Sequence, residues 1–265
     1  MTLDVLLSAM HLKSYSYIDS LNITGNCVII NQCNQESQQV ITDNNRHITY
    51  IETTQRGLSK SRNMAIDHSQ ADICIFCDND VEYSENYEHL ILEEYDKHPE
   101  YDIIVFHVES EINPVPCYPS PRKIHYLTSG KIVSVEISFK RKSIQNIRLN
   151  EHIGAGTKYH MGEENAFLYE CLRQGLKIYY VPQKIARLRH EPSTWYSGFN
   201  KDFFIARGAS FHAMTSRYSI FLAAQYAVRN YKLYRKQVSF FQAIRYMLEG
   251  RKSYMAEVTD TTNDV

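Results

Sequence analysis

Three short segments of the chain carry side chains that could do chemistry together. The first is Asp78-Asn79-Asp80, which ends the unbroken apolar run Ile73-Cys74-Ile75-Phe76-Cys77. Two carboxylates two residues apart, where a strand turns into a loop, offer hard oxygen donors to one Mn²⁺ or Mg²⁺. Such an ion keeps its remaining positions for water and substrate phosphates. A solvated turn closing a strand is the competing reading of Asp-Asn-Asp. The second segment is Gly57-Leu58-Ser59-Lys60-Ser61-Arg62-Asn63. It reads as a glycine turn, a helix capped by Ser59, and two cations, Lys60 and Arg62, of which Arg has the bidentate fork that phosphates favour. The third is Gly162-Glu163-Glu164, heading the amphipathic stretch Ala166 to Arg173. A carboxylate there could take the proton of an attacking hydroxyl, and Glu164 is the candidate base, with Glu163 orienting the acceptor or fixing the loop. Both acids could instead simply complement the helix dipole.

Two further side chains lie downstream, His190 and the single tryptophan, Trp195. A neutral imidazole could complete a metal shell or contact a diphosphate, and an indole could stack on a sugar ring; a structural histidine and a core tryptophan are the alternatives.

These segments need a scaffold that brings strand ends together. Residues 73–77, apolar without alternation, read as a strand covered on both faces. Asp4 to His11 reads as another such strand, whose end, Ser8 to His11 with Met10, would line the same cleft edge. Asn26 to Asn31 is a third, running into Gln32, and His47 to Glu52 a fourth. Helices are expected from Ser14 to about Leu21, after Gly57, and from Ser84 to Lys97, with a strand at Asp102 to Val108. Strands alternating with helices predict an α/β domain with a mostly parallel, doubly wound sheet flanked by helices. Ligands then bind beyond the carboxyl ends of the strands, where Asp78 and Asp80 emerge. Past Val108 four prolines, from Pro114 to Pro121, predict an irregular loop over the cleft. Val133 to Phe139 alternates as a half-exposed strand, and Lys177 to Val181 reads as a strand ending at Pro182. Residues 201–252 predict three aromatic helices, and Thr259 to Val265 a disordered tail.

Composition narrows the function classes. With 29 basic and 30 acidic residues, the chain has no overall basic field for duplex nucleic acid. Six scattered cysteines do not suggest a disulfide framework. Cys74 and Cys77, three apart on a strand, point to opposite faces and read as core thiols. No signal peptide and no apolar run long enough to cross a bilayer are read, so a cytoplasmic protein is expected.

The order of these segments, strand, strand, GLSKSRNMAI, strand with DND, then GAG at Gly154 to Gly156 and GEENAFL, resembles a family 2 glycosyltransferase of the bacterial capsule and exopolysaccharide type, from about Asp4 to Trp195. The resemblance implies the GT-A fold over residues 1–198: a nucleotide-sugar half to about 110, an acceptor half beyond, and a helical extension over 199–258. It implies a donor site at Gly57, Ser59, Arg62 and Asn63, with Asn31 and Gln32 at the uracil position, a divalent metal at Asp78 and Asp80, and Glu164 and Glu163 as catalytic groups. The residues themselves add Ser8, Met10, Lys60 and Asn79 to the donor site, His190 as a candidate metal ligand, and Trp195 with Glu163 at the acceptor. Family members often place an acid after the second strand to bind uracil; Asn31-Gln32 stand there instead, and an amide can pair with a pyrimidine edge.

The reaction so implied is inverting transfer from a nucleotide-diphosphate sugar, UDP-hexose for preference, to a saccharide acceptor. Between Arg217 and Lys252 eight cations interleave with aromatics against one acid, Glu249. Such helices suit an anionic membrane and a lipid-linked acceptor, or a homodimer contact. A metal-dependent nucleotidyltransferase and a non-catalytic partner subunit stay open as alternatives.

Overall fold

A computed structural model describes residues 1–110, 117–189 and 198–263. His190 and Trp195, and residues 111–116 of the proline-rich connection, lie outside the described residues. The described chain divides into two compact units. One comprises Met1–Arg56, Lys60–Arg148 and Glu170–Glu191, the other Gly57–Ser59, Leu149–Tyr169 and Pro192–Val265.

The first unit holds the sheet. Strands β1 (Leu3–Met10), β2 (Asn26–Gln32), β3 (Ser37–Asp43), β4 (Arg46–Thr53), β5 (Ile73–Asp78), β6 (Val81–Tyr83), β7 (Ile103–Glu109), β8 (Arg122–Ile124), β9 (Ile137–Lys140) and β10 (Ile178–Leu188) form it. Their order is β3-β4-β2-β1-β5-β9-β7-β10-β6, with β8 also on β10. Strands β4, β2, β1 and β5 run parallel, as β7 and β10 do, while β9 enters antiparallel between β5 and β7. The apolar run of β5 is therefore flanked on both edges and buried through Cys77. Helices α1 (Tyr17–Ser20), α2 (Leu58–His68) and α3 (Tyr87–Lys97) follow strands in the alternation expected of an α/β chain. A short helix, α4 (Tyr126–Ser129), precedes β9. Of the six cysteines only Cys117 is exposed, and all are free thiols.

The second unit is helical. It takes the start of α5 (Glu163–Arg173), then α6 (Lys201–Met214), α7 (Ser219–Arg229), α8 (Tyr231–Tyr234) and α9 (Phe240–Asn263). Phe203, Phe204, Tyr234, Ala243, Met247 and Tyr254 fill its core.

Several expectations change. Strand β3 was not foreseen. It pairs antiparallel with β4 through Asn44-Asn45, both at positive φ (47° and 66°), the backbone that a two-residue hairpin demands and that Asn tolerates. Residues Ser134–Glu136 form a 3-10 turn rather than the start of a strand, in which Ser134 accepts from Arg62 and Glu136 from the Val133 N–H. Strand β10 does not end at Pro182 but passes through it, its pairing with β7 shifting register between Tyr180 and Lys184, where a missing N–H does no harm. Four helices replace three, α1 and α3 are shorter than expected, and α9 continues to Asn263, past the tail read from Thr259.

Candidate active site

In the first unit the site is built on the ends of β1, β2 and β5. Register sets Ser8 beside Asp78, so the two strands deliver a hydroxyl and a carboxylate at one level. Helix α2 supplies the cation. Ser61, Arg62, Ala65 and Ile66 are all buried, the i, i+1, i+4, i+5 stripe of a core-facing helix surface, and Arg62 occupies a position where an apolar residue would be usual. Its side chain is wholly buried, and a guanidinium there requires a partner. Nη2 donates to both carboxylate oxygens of Asp78, at 2.9 and 3.1 Å, and to Ser134 Oγ at 2.7 Å, while the guanidinium carbon lies 5.4 Å from the centre of the Phe76 ring. Ser61 Oγ donates to Ser8 Oγ at 2.8 Å, tying the same helix to β1.

The Asp-Asn-Asp turn is held from outside. Tyr17 donates its hydroxyl to the Asn79 carbonyl at 2.9 Å, and the Arg189 N–H donates to the Asp80 carbonyl at 2.7 Å. Glu82, just beyond, is gripped by Arg187 and Arg189, whose hydrogen bonds hold its carboxyl below the usual range. In the same 3-10 turn as Ser134, Glu136 is 2% exposed and accepts from the Val133 N–H at 3.2 Å; burial pushes its carboxyl up to about 8.

The other expected donor residues of this unit are placed as follows. Met10 is exposed at the end of β1, Lys60 and Asn79 are half-buried, and Gln32 and Asn63 are buried. Asn31 is fully buried and spends its amide inside the protein: Oδ1 accepts from the Leu12 N–H, and Nδ2 donates to the Leu12 carbonyl and the Tyr50 hydroxyl. Its register partner on β4 is Glu52, a carboxylate at the second strand's end that sequence reasoning missed because it comes from the next strand. Hydrogen bonds from Ser37 and Gln35 hold its carboxyl low.

The second unit gathers the other motifs. Ser59 is not a cap but lies in the first turn of α2, fully buried, and donates to the Ile153 carbonyl at 2.8 Å. The Leu58 N–H donates to the Ala155 carbonyl at 2.9 Å, so Gly57-Leu58-Ser59 is laced to the Gly154-Ala155-Gly156 loop. Gly154 has φ +107°, and a Cβ there would meet Ser59 Oγ at 3.0 Å and Glu163 Cδ at 3.1 Å. Glu163 is 6% exposed within this knot, whereas Glu164 is half-buried and takes a hydrogen bond from Asn165. Gly162 has φ +86° and lies so close to α6 that a Cβ would fall 1.9 Å from Ser210 Oγ. Only glycine lets the chain enter α5 there.

The donor set bears on a divalent ion. Asp78 already shares both oxygens with a buried guanidinium, and among the described residues no three His, Cys, Asp or Glu side chains gather as a metal cluster. An ion at this turn would therefore share Asp78 with Arg62, and the expected further ligand, His190, lies outside the described residues.

Comparison with known proteins agrees with this architecture. No curated protein sequence matches the chain. Among solved structures, Staphylococcus aureus TarS 1-349 in complex with UDP aligns with TM-score 0.63 at 12% identity, covering 100% of this chain and 92% of that one. The same fragment in complex with UDP-GlcNAc aligns with TM-score 0.60 at 13% identity, covering 97% and 92%. These likenesses establish the GT-A fold. The model of "Glycosyl transferase family 2" matches residues 26–162, more than half of the chain and ending one residue before Glu163. With the motifs of both units in place on that fold, the chain belongs to glycosyl transferase family 2.

Proposed function

We propose that the chain transfers a hexose from a UDP-linked donor to a hydroxyl of a saccharide acceptor, with inversion at the anomeric carbon. The observation that carries the reading is the carboxylate and guanidinium pair, Asp78 and Arg62, at the carboxyl end of the central parallel strands, with Asp80 two residues on. The UDP and UDP-GlcNAc complexes of TarS, which share the fold, support a uridine nucleotide.

In this reading the strand ends bind the nucleotide and Arg62 holds Asp78 rigid, so that Asp80 presents its carboxylate in one place. A divalent ion bound at Asp80 would supply Lewis-acid stabilisation of the departing diphosphate. The acceptor oxygen attacks the anomeric carbon as the bond from that carbon to the diphosphate oxygen breaks. The hydroxyl proton passes to the Glu164 carboxylate, and the nucleoside diphosphate leaves with the bonding electrons. Glu163, buried against Gly154, fixes the position of Glu164. A lipid-linked acceptor in bacterial surface polysaccharide synthesis is the setting that the motif resemblance supports.

Thermal stabilisation by a panel of UDP-glucose, UDP-galactose, UDP-GlcNAc, GDP-mannose and the nucleoside triphosphates, with and without Mn²⁺, tests the proposal, since a ligand of the folded state raises the melting temperature. A Mn²⁺-dependent shift with one UDP-sugar is expected. A shift with nucleoside triphosphates alone would replace it with the nucleotidyltransferase reading.

A further inference from the structure

Helix α7 is apolar on both faces. Inward, Ser219, Ala223 and Ala227, at i, i+4 and i+8, are buried, Leu222 and Tyr226 pack against the helical core, and Arg251 donates to Ser219 Oγ at 2.9 Å. Its other large apolar side chains point outward. Phe221 is 63% and Val228 65% exposed, with Ile220 and Ala224 also in solvent. A surface helix ordinarily puts such residues inside. The apolar exposure continues just beyond the helix: Leu233 on α8 is exposed, and Tyr231 stacks edge-on against Phe240, next to Phe241, which is 82% exposed.

The stretch of chain that holds these residues has charge of one sign. From Phe203 to Leu248 the chain has no Asp or Glu. Six cations in that stretch are exposed: Arg217, Arg229, Lys232, Arg235, Lys236 and Arg245. A second copy of the chain pairing through this face would bring like charges together. Apart from Arg229 at its end, the outward face of α7 offers little beyond Gln225 as a polar group to specify a protein partner. A surface that asks only for apolar insertion and negative charge meets both features.

We infer that the outward face of α7, with its cationic surroundings, is a docking surface for an anionic lipid bilayer. Phe221 and Val228 enter the interface, while Arg229 and Lys232, at the helix's end and just beyond, meet the lipid phosphates. This does not depend on the donor assigned above.

The test is flotation of the full chain with phosphatidylcholine vesicles and with equimolar phosphatidylcholine and phosphatidylglycerol vesicles. Wild type is expected to float with the anionic vesicles only, and less so as salt rises. Both Phe221→Asp/Val228→Asp and Arg229→Glu/Lys232→Glu should lower partitioning by at least about tenfold, with melting temperature and transfer to a soluble acceptor unchanged. Wild type remaining at the bottom with anionic lipid would overturn the inference, as would flotation that neither variant reduces. A concentration-dependent dimer that Phe221→Asp/Val228→Asp turns to monomer, without any flotation, would assign the face to a second copy instead.

Discussion

Arg62 and Asp78 form an ion pair whose two members live in different surroundings: the guanidinium is wholly buried, while the carboxylate is 28% exposed at the strand end. The asymmetry predicts unequal costs. Asp78→Asn leaves a buried cation with Ser134 Oγ and the face of Phe76 for company, and should cost about 3–5 kcal/mol. Arg62→Met leaves a carboxylate that water can reach and fills much of the vacated space, and should cost about 1–3 kcal/mol. Urea unfolding of the two variants checks the order.

The proposed chemistry can be tested apart from the fold at Asp80 and Glu164. Glu164→Gln keeps shape and removes the base, and transfer should fall by about two to four orders of magnitude with the melting temperature held. Asp80→Ala should likewise abolish transfer without unfolding the chain. Nucleoside diphosphate release measures both, and wild-type turnover in either variant removes that residue from the mechanism.

Entry into α5, the helix of the proposed base, depends on the close approach of Gly162 to Ser210. Gly162→Ala places a methyl where Ser210 Oγ lies, on a backbone at φ +86°, and should cost on the order of 1–3 kcal/mol and lower kcat through Glu164. Ser210→Ala removes that oxygen but leaves its Cβ 2.9 Å from the new methyl, so the double variant should recover only part of both losses. A double-mutant cycle on stability and kcat reads the coupling.

Glu136 predicts how stability varies with pH. Its carboxyl titrates near 4.5 when unfolded and at about 8 when folded, so the native state holds a proton that the unfolded chain releases between these values. Its contribution to stability is complete below about 4.5 and is lost as pH rises through about 8, a change on the order of a few kcal/mol. Glu136→Gln should flatten the stability profile over that window, as urea midpoints at a series of pH values would show.

The parts of the fold that were legible are those written in local patterns. The unbroken apolar run of β5 declared a strand covered on both faces, and the alternation of strands and helices declared the α/β class. What escaped depends on contacts distant in sequence. Strand β3 is polar and half-exposed, with no hydrophobic period to announce it; Asn44-Asn45 was its one signal. The turn at Ser134 to Glu136 mimics an alternating strand, and one of its contacts, with Arg62, comes from 72 residues earlier. At the site, residue types identified the acids and the arginine, but not which carboxylate the arginine holds. Nor did they show that the Asn31 amide is spent on Leu12 and Tyr50, or that Glu52 stands beside it. The Gly154 loop, a turn in sequence, is a junction in space, because its glycines admit Gly57, Ser59 and Glu163 to close approach.

The distribution of thiols makes the molecule self-reporting. Cys27, Cys74, Cys77 and Cys171 are sealed in the interior with their ionisation pushed far upward, so a thiol reagent reaches them only when the surrounding structure opens. Cys117, the exposed one, is available at once. A single quick labelling step would therefore put a fluorophore beside Tyr118, on the connection into β8, without any substitution. The slow labelling that follows would time the opening of the sheet.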